Sequence, residues 1–209
     1  MCPSHACRAL TPRTLGHAGI GLRTREKKMT HKWNTPIVAL IVLAGALPAS
    51  ASAQGFKITK IGKGKMVASS AQVFDTAAGD VECKKASATL EFTALEFVVL
   101  EAPKLAYSEC SGLGGAAHVT TAALAFDANG SMQLEKTLAI EPESAGCSFV
   151  FERATGEAVS YSITKSGVLV LDLDISNLPY SGTGGVCGGS GKAKYNGVLE
   201  AEDTGGKFY

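Results

Sequence analysis

Apolar and polar residues alternate with a period of two from Phe56 almost to the last residue, and each such run predicts a strand. Phe56 and Ile58 alternate with Lys57 and Thr59. After the Gly62 and Gly64 break a second run covers 66–74 and ends at Ala77-Ala78-Gly79-Asp80. Residues 81–94 read two ways: Ala88, Leu90 and Phe92 alternate with Thr89, Glu91 and Thr93, while Ala86, Leu90, Ala94 and Phe97 also fit a helical stripe. β-Branched residues and the even alternation favour the strand. Runs at 96–101 and 104–110 flank Pro103, and the next, 118–126, puts His118, Thr120, Ala122, Leu124 and Phe126 on one face. Asp127-Ala128-Asn129-Gly130 predicts a hairpin, because Asn-Gly accepts positive φ. The same grammar carries Met132 and Leu134, then Cys147, Phe149 and Phe151, then Val159, Tyr161 and Ile163. Leu169, Leu171, Leu173 and Ile175 follow, a glycine-rich loop spans 177–192, and Ala193, Tyr195 and Leu199 make a last strand. About ten short strands with turns at roughly 8 to 12 residue spacing predict an antiparallel β-sandwich or barrel. The domain covers 54–203, and 204–209 reads as a flexible tail.

Upstream of these strands the pattern changes. His31 and Lys32 precede an apolar run at 36–47, and Ala51-Ser52-Ala53 is a small-x-small cleavage site, so 29–53 reads as a secretory signal peptide. The apolar run is shorter than the ~20 residues a membrane-spanning helix needs. Residues 1–28, basic with Glu26 as the only acid, read as a non-native upstream extension ahead of Met29.

Removing the leader reverses the sign of the charge. The full chain carries +1, whereas residues 54–209 hold 13 Lys and Arg against 18 Asp and Glu, a net charge of −5. An acidic surface with scattered lysines disfavours nucleic acid as a partner. Four cysteines follow the leader: Cys83, Cys110, Cys147 and Cys187. An even number in an exported chain predicts a disulfide framework. Pairing Cys83 with Cys110 and Cys147 with Cys187 closes two local loops and is the favoured pattern, with crossed pairings left open. Each bridge of that length contributes about 3 to 4 kcal/mol in the chain-entropy account. No spacing has the form CxxC, and one histidine remains, so neither a metal nor a cofactor is expected.

Candidate chemistry is sparse. His118, the remaining imidazole, reads as a strand-end residue rather than a general base. Asp172 and Asp174 share one strand face, where they mark the solvent side more simply than a calcium or acid–base pair. Glu91, Glu96, Glu101 and Glu109 are available as acids without a pattern that selects two of them. The glycine cluster at 182–192 lacks the order of a phosphate-binding loop, since Ala193 follows Lys192, and it reads as a tethered loop. Asn129-Gly130-Ser131 is a glycosylation sequon as well as a turn. The only tryptophan, Trp33, lies in the leader, leaving Tyr107, Tyr161, Tyr180 and Tyr195 as aromatic platforms ahead of the tail.

Three stretches carry a resemblance: the run from Phe74 through Cys83, Tyr107-Ser108-Glu109-Cys110, and Gly146-Cys147-Ser148-Phe149-Val150-Phe151. On these the chain resembles uncharacterised small secreted disulfide-bonded β proteins of actinobacterial type. The resemblance implies export and an all-β, disulfide-bonded fold, and it brings no active site. The resulting expectation is a non-enzymatic extracellular or cell-envelope protein, such as a binding module for a wall or extracellular ligand. A secreted hydrolase using a carboxylate pair and a β-barrel carrier of a small apolar ligand are the alternatives. A hydrolase places two acids in one cleft, a module exposes an apolar patch, and a carrier encloses a cavity.

Overall fold

The computed structural model describes residues 55–209, so the upstream extension at 1–28 and the signal peptide at 29–53 lie outside the described residues. The alternation becomes fifteen strands: β1 (Phe56–Lys57), β2 (Gly62–Ala68), β3 (Gln72–Thr76), β4 (Gly79–Phe92), β5 (Glu96–Phe97), β6 (Val99–Gly112), β7 (Gly115–Val119), β8 (Ala122–Asp127), β9 (Ser131–Leu134), β10 (Leu138–Pro142), β11 (Ser148–Phe151), β12 (Ala154–Glu157), β13 (Val159–Ile163), β14 (Leu169–Thr183) and β15 (Gly189–Asp203). One 3₁₀ turn at Gly185–Cys187 interrupts the last hairpin. Residues 81–94 are strand, as the β-branched residues favoured, and β4 continues unbroken to Phe92.

Several of these strands are halves of longer ribs. β2 and β3 both lie along β4 and β15, β7 and β8 both lie along β6, and β9 and β10 lie along β8 and β7 in turn. β11 and β13 both lie along β14, with β12 between them on β9. Joining the halves leaves eight ribs, each antiparallel to the next, and β15 returns to pair with β2 and β3. The ring closes as an eight-strand up-and-down barrel, one of the two expected architectures, with every rib paired to both neighbours over at least part of its length.

The breaks explain why the sequence suggests a different strand count. The run at 118–126 is cut at Thr120, whose hydroxyl accepts from the Ala139 N–H at 2.8 Å and donates to its carbonyl at 3.3 Å. The phase slips there: Val119 turns inward, and His118, expected on the face of Leu124 and Phe126, is exposed. The two runs flanking Pro103 are one strand, β6, with a bulge between Ala102 and Leu105. Proline has no N–H for the ladder and is tolerated in strands at bulges and edges.

Eight strands enclose an interior just wide enough for side chains to fill. Phe74 stacks on Tyr195 with ring centroids 4.8 Å apart and meets Tyr107 and Phe151 at 5.5 and 5.7 Å. Within this apolar filling runs one polar chain. Tyr195 donates to Gln72 Oε1 at 2.8 Å, and the Gln72 amide donates to the carbonyls of Ser70 and Val198. Tyr195 has a single hydroxyl proton, so in its 3.2 Å contact with Tyr107 the donor is Tyr107. Burial holds both phenols well above the ordinary tyrosine pKa.

The lower end is plugged by β1, β5 and the last residues. Phe97 packs on Phe56 and Phe92, and Phe92 meets Phe208 edge to face at 5.6 Å. The tail expected to be flexible is therefore corrected. Phe208 is 2% exposed and bridges to Ile58, its N–H donates to the Gly167 carbonyl, and the Tyr209 N–H donates to the Lys57 carbonyl. A short apolar segment bonded to partners far away in sequence leaves no local trace of its order.

Both expected disulfides form. Cys83 and Cys110 face each other across β4 and β6, and Cys147 ties the start of β11 to Cys187 in the glycine turn. Gly182 is required in that turn, since a Cβ there would fall 1.7 Å from the Cys187 carbonyl oxygen. Charged residues stand on the outer surface, Asp172 and Asp174 on β14 and Lys192 and Lys194 on β15, with leucines and aromatics inside. That is the reverse of a membrane-spanning barrel, whose outer band is apolar.

Candidate functional site

The ring is complete except along one seam. β4 and β6 leave a tight hairpin register from Val81↔Gly112 to Ser87↔Ala106, stapled by Cys83–Cys110, and then part. Below that point β4 keeps only β2 as a partner, from Ser87 to Phe92, and β6 keeps only β8, from Val99 to Leu105. The facing edges, 88–92 on β4 and 99–105 on β6, pair with no strand among the described residues. The bulge in the β6–β8 pairing, between Ala102 and Leu105, begins directly beyond Ala106, the last β6 residue paired with β4.

Two grooves follow the seam. Near its apex a groove of about 460 Å³ is lined by Met66, Ser87, Thr89, Pro103 and Lys104 among others. At its open end a groove of about 250 Å³ has Glu91 and Phe92 on one wall and Leu100 and Glu101 on the other, with Phe97 beside them. The segment that joins the two walls presents Leu95, Val98 and Val99 to solvent at 47%, 56% and 38% exposure. Val99 lines the open-end groove itself, and Leu95 and Val98 stand within two residues of Phe97, another of its lining side chains. Scattered exposed apolar side chains need no explanation, but three on one five-residue segment at the end of a groove point to a contact surface.

The two acids at the open end of the seam form no ion pair among the described residues. The ion pairs among the described residues are Lys57–Glu96 at 2.9 Å, Lys65–Glu202 at 2.9 Å and Lys85–Glu109. Hydrogen bonding to Glu96 raises the Lys57 pKa, and hydrogen bonding to Lys85 holds the Glu109 carboxyl below its ordinary value. Glu91 and Glu101 belong to none of these pairs, although Lys63 stands opposite Glu91 in the β2 register.

The residues singled out from the sequence do not converge on the seam. His118 is exposed on β7, opposite Glu141 on β10. Asp172 and Asp174 are exposed on β14, opposite Val198 and Asn196 of β15, on the solvent side as expected. The glycine-rich loop expected at 177–192 is corrected: residues through Thr183 belong to β14 and those from Gly189 to β15, paired from Leu178↔Ala193 to Gly182↔Gly189, so the turn is 184–188 alone. Asn129 sits exposed at the tip of the β8–β9 hairpin, its N–H bonded to Asp127 Oδ1 at 2.7 Å, and Gly130 takes the left-handed φ of 91° that the turn requires. Tyr161 donates to the Asp127 carbonyl at 2.6 Å, and desolvation raises its pKa. Among the described residues no group of three or more His, Cys, Asp and Glu is placed to hold a metal. No described helix is long and apolar enough to cross a membrane.

Of the four glutamates left unranked, the fold selects two, Glu91 and Glu101, by placing them on opposite walls of one groove. The seam itself was missed. Its one sequence signal is Pro103, which marks an interruption without telling that the strands on either side belong to one bent rib. Compared with family models, with curated proteins and with solved structures, the chain matches none.

Proposed function

We propose that this chain is an exported, non-enzymatic barrel of the extracellular space or cell envelope that binds a partner at the seam between β4 and β6. The observation that carries the reading is the exposure of Leu95, Val98 and Val99 on the short segment at the end of a groove walled by strand edges that pair with no described strand. Two disulfides support an oxidising compartment, where such bonds persist. A filled interior speaks against the carrier reading: Phe74, Phe126, Phe149, Phe151 and Tyr195 occupy the space a ligand would need.

The hydrolase reading keeps one observation in its favour, the Glu91 and Glu101 pair across a groove. Both carboxyls are exposed, and neither accepts a hydrogen bond that would fit the two to different tasks. The test is co-sedimentation of the exported protein with the envelope fraction of its producing cell. A Leu95→Lys/Val98→Lys variant should lose most of the binding while keeping its melting temperature. Equal sedimentation of variant and wild type overturns the binding site. Release of soluble fragments from the envelope, abolished by Glu91→Gln or Glu101→Gln, replaces it with an enzyme.

A further inference from the structure

We infer that the seam accepts one extended segment of a partner polypeptide as an added strand on the free edge of β4, with a basic side chain of that segment held between Glu91 and Glu101. The inference rests on the proposed binding site and names the chemistry of its occupant.

Three observations lead to it. First, the free edge of β4 runs unbroken from Ala88 to Phe92 without proline or bulge, whereas the facing edge of β6 is interrupted at Pro103. An unpaired edge presents a row of backbone donors and acceptors, and extended peptides are recognised by completing that row. Second, the side chains along this edge alternate: Ala88, Leu90 and Phe92 point into the core, and Thr89 and Glu91 point to solvent. An added strand meets the same division, so its inward residues are apolar and its outward residues stand beside Thr89 and Glu91. Third, the outward position next to Glu91 is also walled by Glu101, and among the described residues neither carboxylate is in an ion pair, although Lys63 stands opposite Glu91 in register on β2. Two unpaired acids across one narrow groove favour a Lys or Arg there and penalise an acid. The exposed Leu95, Val98 and Val99 at the mouth then cover the apolar residues of the segment that extend beyond the seam.

The experiment uses the exported, disulfide-bonded protein and three synthetic seven-residue peptides. One alternates Thr and Val around a central Lys, the second carries Glu in place of that Lys, and the third is the Lys peptide N-methylated at alternate backbone nitrogens. Affinity is read by titration calorimetry, and the site by amide exchange. The Lys peptide should bind about tenfold more tightly than the Glu peptide and slow exchange at residues 88–92. The N-methylated peptide should not bind, because it lacks the strand's donors. Glu91→Gln/Glu101→Gln, both exposed and without partners, should leave the melting temperature unchanged and erase the difference between the Lys and Glu peptides. Equal binding of the N-methylated peptide, protection confined to other strands, failure of all three peptides, or a seam already protected in a dimer each overturns the proposal. If the rim variant loses envelope binding while the peptides fail, the site stands and strand addition falls. If the rim variant sediments like wild type, the site itself falls.

Discussion

The polar chain through the barrel interior gives an ordered prediction. Tyr195 both donates to Gln72 Oε1 and accepts from Tyr107, so Tyr195→Phe removes two hydrogen bonds and leaves an acceptor and a donor without partners. Tyr107→Phe removes one hydrogen bond and leaves Tyr195 still bonded to Gln72. A net hydrogen bond contributes about 1 kcal/mol, and an orphaned buried group costs about 1 to 3 kcal/mol. Tyr195→Phe should therefore cost about 3 kcal/mol and Tyr107→Phe about 1 kcal/mol, the latter also reduced because Tyr107 is only partly buried. With an m-value of about 2 kcal/mol/M for a domain of this size, the urea midpoint should drop by roughly 1.5 M and 0.5 M respectively at constant m. The double variant should cost less than the sum, since the two side chains share one bond. A Tyr107→Phe penalty equal to or greater than that of Tyr195→Phe refutes the assigned direction of the chain. Midpoint shifts under about 0.3 M for both variants refute its burial.

Further outcomes follow from other parts of the barrel. Because burial raises the Tyr107 and Tyr195 pKa values, the unfolded chain loses those protons first as pH rises, so stability is constant below the ordinary tyrosine value of 10.0 and falls above it. The slope, read from urea midpoints between pH 9 and 12, should reach up to about 1.4 kcal/mol per pH unit for each phenol and should shrink in the phenylalanine variants. Phe208→Ala empties a fully buried site in the plug and should destabilise by about 3 kcal/mol, whereas a frayed tail would show no shift in melting temperature. Gly182→Ala drives a methyl into the Cys187 carbonyl and should cost about 3 kcal/mol, or leave Cys147 and Cys187 titratable as free thiols. Asp203 is buried at the lower end with neither carboxyl oxygen hydrogen-bonded to a described residue, so Asp203→Ala, which removes both orphaned acceptors, should raise the urea midpoint, and an unchanged or lower midpoint contradicts that reading.

What could be read from the sequence was set by how local each cause is. The alternation of Leu169, Leu171, Leu173 and Ile175 survives intact in β14, and Asn129-Gly130 closes its hairpin, because both depend on neighbouring residues alone. The cysteine pairs joined as expected because each bridge is short in sequence, at separations of 27 and 40 residues, one across the β4–β6 hairpin and one from the residue before β11 to the β14–β15 turn. The phase slip at Thr120 escaped notice because its cause is the backbone of Ala139, on another rib. The order of Phe208 is likewise hidden, since Ile58 and Gly167 supply it from far away in the chain. As for the site, the acids were visible and their pairing was not: Glu91 and Glu101 meet across a gap that exists because β2 and β8, not β4 and β6, hold the lower halves of their strands.

Closure of the ring by β15 on β2 and β3 also has a meaning in time. Every other junction joins ribs that are consecutive in the chain, whereas Leu199↔Ala68 and Tyr195↔Phe74 pair residues more than a hundred positions apart. A chain synthesised amino end first can zip its hairpins one after another, but its first rib waits unpartnered for the last. During that interval the outer edge of residues 62–76 is an open template, and the glycines and lysines of Gly62-Lys63-Gly64-Lys65 lie along it. Charge and weak strand propensity on an exposed edge discourage pairing with strangers. The same four residues that begin the barrel thus guard it until its final rib arrives.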